Sequence, residues 1–203
     1  MLKLDIGNQI YSILAKHPGR LFFTSDFAHL VDSDIDAIKK VLSRLAKNGD
    51  IKRIARGIYY KPRKDPVIGD LTPGIEEVAA AIARHDKAGI VPSGAYALNR
   101  LGLSTQIPMN IVFLTEGSSR QLKIGNKTIT FRKTAPRNVA AKGKISRLAI
   151  QALKSIGKDQ VTEKQKNQIL RLLAKENKKN LEHDIRLAPE WVRKIMRPAL
   201  KEL

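Results

Sequence analysis

One run of sequence, Ile35 to Tyr60, leaves little freedom in how it can fold. Ile35, Ile38, Val41, Leu42 and Leu45 recur at intervals of three and four, which puts them on one face of a helix and requires that face to be covered. Asn48-Gly49 ends the helix. The stretch IKRIARGIYYKP then follows at once. Ile51, Arg53 and Ala55 alternate with Lys52, Ile54 and Arg56, Gly57 permits a tight turn, and Ile58-Tyr59-Tyr60 returns as a second strand. Ile51, Ile54, Ile58 and one of the two tyrosines are expected to anchor this hairpin to the helix.

The residues before this run supply the rest of a small core. Ile6, Ile10, Ile13 and Leu14 predict a first helix over 5–16, stopped by His17-Pro18-Gly19. Leu21-Phe22-Phe23 adds apolar bulk, and Thr24 or Ser25 can cap a short second helix carrying Phe27, Ala28 and Leu30. A turn at Val31-Asp32 follows, and Ser33 with Asp36 resembles a capping box for the third helix. Helix, short helix, basic helix, basic hairpin is the order of a winged helix-turn-helix.

Charge gives that order a direction. The chain carries 38 Lys and Arg against 19 Asp and Glu, a formal +19, so polyanions are its expected partners. Residues 37–64 hold ten basic residues and one acid, whereas residues 1–36 hold three and five. The expected DNA-binding residues are therefore Lys39, Lys40, Ser43, Arg44 and Lys47 on the outer side of the third helix, with Lys52, Arg53 and Arg56 on the hairpin. Asp34 and Asp36 fall at the helix start, where capping explains them better than contact with cytosine. Tyr59 and Tyr60 either stack on bases or form core and rim, and the second use is the commoner.

Lys61 to Pro73, with three prolines and a glycine, reads as a linker. The expected fold is thus α+β: a winged helix-turn-helix domain over 1–64, a linker over 65–74, and a mixed α/β domain over 75–203 with a helical C-terminal part. Within the last, IEEVAAAIARH predicts a helix, Ile111 to Leu114 a strand, and Leu122-Lys123-Ile124 with Thr128 to Phe131 a hairpin about Gly125-Asn126. Helices are expected from Lys144, over Thr162–Glu176 and through the last segment, where Pro189 can open the final helix. Residues 142–203 hold 16 basic residues and 7 acids, and for lysines scattered on helices solvation is the commoner role. Trp191 is expected in the core.

Other chemistry finds little support. Ser93 lacks a nucleophile-elbow pattern, and Gly117-Ser118-Ser119-Arg120 lacks the phosphate-loop signature. Cysteine is absent and His17, His29, His85 and His183 are far apart, so no metal or cofactor is expected. No apolar run is long enough to span a membrane and no secretion signal opens the chain, which predicts a cytoplasmic location.

The combination of GIYYKP with the later block PSGAYALNRLGLSTQIPMNIVFLTEG resembles the AbiEi-type antitoxins of bacterial type IV toxin-antitoxin systems, in a shorter related subgroup. The likeness covers about residues 5–135. It implies a winged helix that binds operator DNA and represses its own operon, with a nucleotidyltransferase-like toxin as partner. Lys39, Lys40, Arg44, Arg53 and Arg56 match the recognition helix and wing. Ser93, Tyr96, Asn99, Leu101, Gly102, Leu103, Thr105, Gln106 and Pro108 match the small-helix and T-x-Q-x-P pattern. From the residues themselves, Gly102 reads as a helix stop, and Thr105 and Gln106 can satisfy nearby backbone groups.

The leading expectation is a DNA-binding transcriptional repressor that doubles as an antitoxin and is not an enzyme. Its partner is double-stranded operator DNA, with dimerisation or paired half-sites, because one small module reads few bases. The alternatives are a solitary regulator without a toxin, or a protein-interaction module whose winged helix is only a scaffold. An enzyme acting on nucleic acid ranks last, and several acids with a histidine converging in one cleft would favour it.

Overall fold

The computed structural model describes residues 5–30 and 34–201, which divide into two compact units, 1–85 and 86–203. The architecture is α+β, with helices and strands in both units.

The first unit opens with α1 (Ile6–Ala15), which buries Ile10 and Leu14 completely. Leu21–Phe23 form a strand, β1, where the sequence suggested only apolar bulk, and a 3-10 helix over Thr24–Leu30 follows with Phe27 buried. Helix α2 (Ile35–Lys47) places Ile38 and Leu42 wholly inside. Its N-cap is Asp34, whose Oδ1 accepts from Ala37 N at 2.9 Å. The expected turn at Val31-Asp32 and the expected Ser33 cap lie outside the described residues.

Strands β2 (Lys52–Ala55) and β3 (Ile58–Tyr60) complete a three-stranded antiparallel sheet in the order β1-β3-β2. The pairings Leu21↔Tyr60, Phe22↔Tyr59 and Phe23↔Ile58 give β3 a partner on each side. Phe22 and Tyr59 face the core shared by α1 and α2. By alternation Leu21, Phe23, Ile58 and Tyr60 take the other face. Helix α3 (Ile75–His85) packs against β1 there, with the His85 and Phe23 rings stacked at 3.8 Å. Burial on both faces is why LFF and IYY are unbroken apolar runs.

Two sequence readings are corrected here. The segment 65–74 is not a plain linker: β4 (Arg63–Asp65) and β5 (Gly69–Leu71) pair as a hairpin. The division between units falls after His85, so α3 belongs with the first unit rather than with the C-terminal domain. Prolines and a glycine in a turn look the same in sequence as those in a linker.

The second unit begins with β6 (Ile90–Ser93), then α4 (Gly94–Arg100), β7 (Asn110–Thr115), β8 (Arg120–Ile124) and β9 (Lys127–Lys133). The sheet order is β6-β7-β9-β8, antiparallel except for the parallel β7–β9 pair. Ile111, Phe113, Ile129 and Phe131 are buried at alternate positions, and the Phe113 ring stacks on Phe131. Helices α5 (Lys144–Ile156), α6 (Glu163–Leu173), α7 (Lys178–Leu187) and α8 (Glu190–Met196) share one apolar cluster with α4, and Trp191 packs half-buried against it. Thr162 and Gln165 form a capping box at the start of α6, and Pro189 is the N-cap of α8.

A polar cluster closes the start of α5. Asp184, fully buried on α7, accepts from Lys142 N at 2.8 Å, Gly143 N at 2.7 Å and the Ser146 hydroxyl, and pairs with His183 Nδ1. Glu176 accepts from Ile145 N at 2.6 Å and Ser146 N at 3.2 Å. Two carboxylates thus serve donors that a helix start leaves unpaired.

Candidate nucleic-acid interface

All eight expected contact residues are exposed, on two consecutive elements of the first unit. On α2 the buried Ile38 and Leu42 force Lys39, Lys40, Ser43 and Lys47 outward, because residues three, four and seven apart share a face. Lys40 and Lys47 make no ion pair among the described residues. Lys39 is different: its Nζ lies 2.8 Å from Asp36. The Lys39 hydrogen bond, then its charge, and then that of Lys40 hold the Asp36 carboxyl below the usual carboxylate range. The Lys39 charge is therefore already partly neutralised, and Lys40 carries the less compensated one.

Two of the exposed arginines are held against their own unit. Arg44 reaches back to α1, where its guanidinium would lie 3.0 Å from a Cβ at Gly7. Arg53 donates from Nε to Ala55 O at 3.2 Å, folding onto its own strand. A bulge between Arg53 and Ala55 also breaks the simple alternation expected of β2. Arg56 sits in the turn with Gly57, whose φ of +77° suits glycine. Thr24 N donates to Gly57 O at 3.0 Å, so this turn is fastened to the 3-10 helix. Both tyrosines are buried at about one-twentieth exposure and have no face for base stacking.

The sequence reading passed over the β4–β5 hairpin. Arg63 and Lys64 are exposed on β4, and Val67 and Ile68 at the tip are 89% and 72% exposed. Asp65 Oδ1 accepts from Val67 N at 2.8 Å and Ile68 N at 3.0 Å, and these bonds pull its carboxyl below the ordinary range. The signal was present in K-D-P-V-I-G-D, an Asp-Pro turn start with a glycine three residues on. Lys61 is a tether, donating to Asp50 O at 2.6 Å and the Tyr11 hydroxyl at 3.2 Å.

A cleft of about 650 Å³ in the same unit gathers Asp26, Glu76, Glu77 and His85 with Arg20, Arg63 and Arg84. Two of its acids fasten backbone: Asp26 accepts from Phe23 N at 2.9 Å and Glu77 from Gly74 N at 2.8 Å. His85 stacks on Phe23 and lies 2.9 Å from the Ser25 hydroxyl. Among the described residues no group of three His, Asp or Glu can hold a metal ion, and no helix is long and apolar enough to cross a membrane.

In the second unit, Tyr96 is buried edge-on to Phe113, and the chain leaves α4 through Gly102 as expected. Thr105 and Gln106 are exposed, and Gln106 N donates to Ser104 Oγ at 3.2 Å. Asn99 also fastens the loop, donating to Ser104 O at 3.2 Å, while Gln168 donates to Leu101 O and Gly102 O at 3.2 and 3.1 Å.

These features define an α+β protein with an exposed basic helix and two hairpins on its first unit. The chain belongs to DUF6088, a family of unknown function whose profile matches residues 9–181. No curated protein matches it. Among solved structures, the RV2827C protein from Mycobacterium tuberculosis is similar at 13% identity with a TM-score of 0.46, over 95% of this chain and 80% of that one.

Proposed function

We propose that this protein is a winged-helix repressor that binds double-stranded operator DNA of its own operon. The observation that carries the reading is the outward row of Lys40, Ser43 and Lys47 on α2, opposite the completely buried Ile38 and Leu42 and followed directly by a basic hairpin. Phosphate contacts from these cations would supply salt-dependent affinity, and α2 side chains would select the site in the major groove. Bound protein blocks transcription by occupancy. The antitoxin role, with a nucleotidyltransferase-like toxin as partner, rests on the resemblance of GIYYKP and the PSGAYALNRLGLSTQIPMN block.

The test is binding of the purified chain to its own upstream DNA against a scrambled duplex at several salt concentrations. Preference for its own DNA that falls in an Arg53→Ala/Arg56→Ala variant and in a Lys40→Ala/Lys47→Ala variant is the expected result. Equal weak binding to both duplexes would exclude specific repression and turn the search to a protein partner. Co-expression with the neighbouring gene product tests the antitoxin half separately: protection of growth is expected.

A further inference from the structure

Val67 and Ile68 pose a problem that the α2 surface does not solve. They are the most exposed large apolar residues among the described ones, at 89% and 72%, side by side on a hairpin tip. Turn tips normally carry glycine, asparagine, aspartate or serine, whose polar groups or backbone freedom suit water. This tip instead reads Pro66-Val67-Ile68, and its stiffness is built in at three levels. Pro66 has a fixed φ, Asp65 holds the amides of Val67 and Ile68, and Gly69 at φ +76° closes the turn. The root is fastened too. Arg63 Nε donates to Pro18 O at 3.1 Å and packs against Gly19, while Asp70 lies 3.3 Å from Lys64 Nζ and 3.8 Å from Lys52 Nζ. The last contact sets the hairpin beside β2.

We infer that the β4–β5 hairpin is a wedge that enters the minor groove of duplex DNA and unstacks one base step with Val67 and Ile68. The inference rests on the DNA-binding reading above and adds a device to it. Proteins that kink DNA insert rigid apolar side chains between base pairs from the minor groove, beside cations that hold the backbone. Here Arg63 and Lys64 stand at the root, with Lys52 and Arg53 on β2 and Arg56 in the turn that follows it. The two acids of the hairpin are both engaged, Asp65 by amides and Asp70 by lysines. The surrounding charge also chooses the occupant: with ten basic residues against one acid over 37–64, a second copy of this surface is repelled and a polyanion is drawn in. A wedge adds selectivity without reading base edges, because pyrimidine–purine steps open most easily.

The experiment places 2-aminopurine at successive steps of the chain's own upstream duplex and follows its fluorescence, with DNA bending measured by circular-permutation gel shift. Wild type is expected to brighten the probe at one step and to bend the duplex. A Val67→Ser/Ile68→Ser variant, whose changes are exposed and whose melting should match wild type, is expected to lose both signals and bind about tenfold more weakly. Asp65→Ala keeps the apolar pair but frees the tip, and should fall between them. Arg53→Ala/Arg56→Ala should weaken binding yet leave the bend in the complexes that form. Wild-type bending and affinity in the Val67/Ile68 variant would overturn the wedge while leaving DNA binding intact. A change in self-association of that variant by sedimentation, with DNA behaviour unchanged, would overturn it in favour of a dimer contact. If wild type binds no duplex, the underlying reading fails and the wedge with it.

Discussion

The two units carry positive charge in different ways. Residues 1–85 have 14 basic and 10 acidic residues, a net +4, whereas residues 86–203 have 24 and 9, a net +15. By net charge alone the second unit would be the nucleic-acid binder. Distribution reverses the ranking, because in the first unit +9 falls within 37–64 and the remainder is −5. A polarised surface orients a polyanion, while diffuse charge only attracts it. The interiors differ as well: the second unit has a helical apolar cluster beside the buried carboxylate of Asp184, which locks the start of α5, and the first has a core around Ile38, Leu42 and Phe27.

Removing that lock is the most damaging way to probe the contrast. Asp184→Ala strips acceptors from two backbone amides and the Ser146 hydroxyl, and each orphaned buried donor costs about 1–3 kcal/mol. The second unit should lose about 3 kcal/mol or more. Hydrogen exchange should then show faster opening in α5 and α7 than in α2. Uniform acceleration through both units would break the comparison. Leu42→Ala should cost the first unit about 2–5 kcal/mol by leaving a cavity at a fully buried site, and DNA affinity should fall with it.

Milder changes act on the polarity of the first unit. Lys40→Ala/Lys47→Ala should leave melting unchanged, lower affinity about tenfold at moderate salt, and reduce the slope of log affinity against log salt by about two. Neutralising two exposed lysines of α6 and α7, Lys164 and Lys179, should weaken scrambled and operator DNA equally and so leave the preference intact. The smallest effect concerns pH. The Asp65 carboxyl titrates below its ordinary value, so its contribution to stability is present above the unfolded-state pKa and fades as pH falls through the lowered one. Asp65→Asn should therefore be slightly less stable than wild type near neutral pH, and denaturation midpoints should converge in acid.

Local periodicity made the α2 stripe, the Gly125-Asn126 hairpin and the helices of the second unit readable, since each is specified by residues within a turn or two of one another. What escaped has partners far away in sequence. Leu21–Phe23 is a strand only because Tyr60, Tyr59 and Ile58 pair with it, and a three-residue run holds no periodicity of its own. Ile90–Ser93 contains a proline and gains strand character from β7. Arg44 and Arg53 are exposed, yet sequence spacing cannot show that one leans on Gly7 and the other bonds Ala55.

The cap on α5 also has a consequence for synthesis. Asp184 is 41 residues downstream of Gly143, whose amide it receives, so at about 5–20 residues per second it is made roughly 2–8 seconds later. Until it leaves the ribosome, the amides of Lys142 and Gly143 lack their acceptor, whereas those of Ile145 and Ser146 can already meet Glu176. A chain ending before position 184 would leave those two amides and the Ser146 hydroxyl without the carboxylate that receives them.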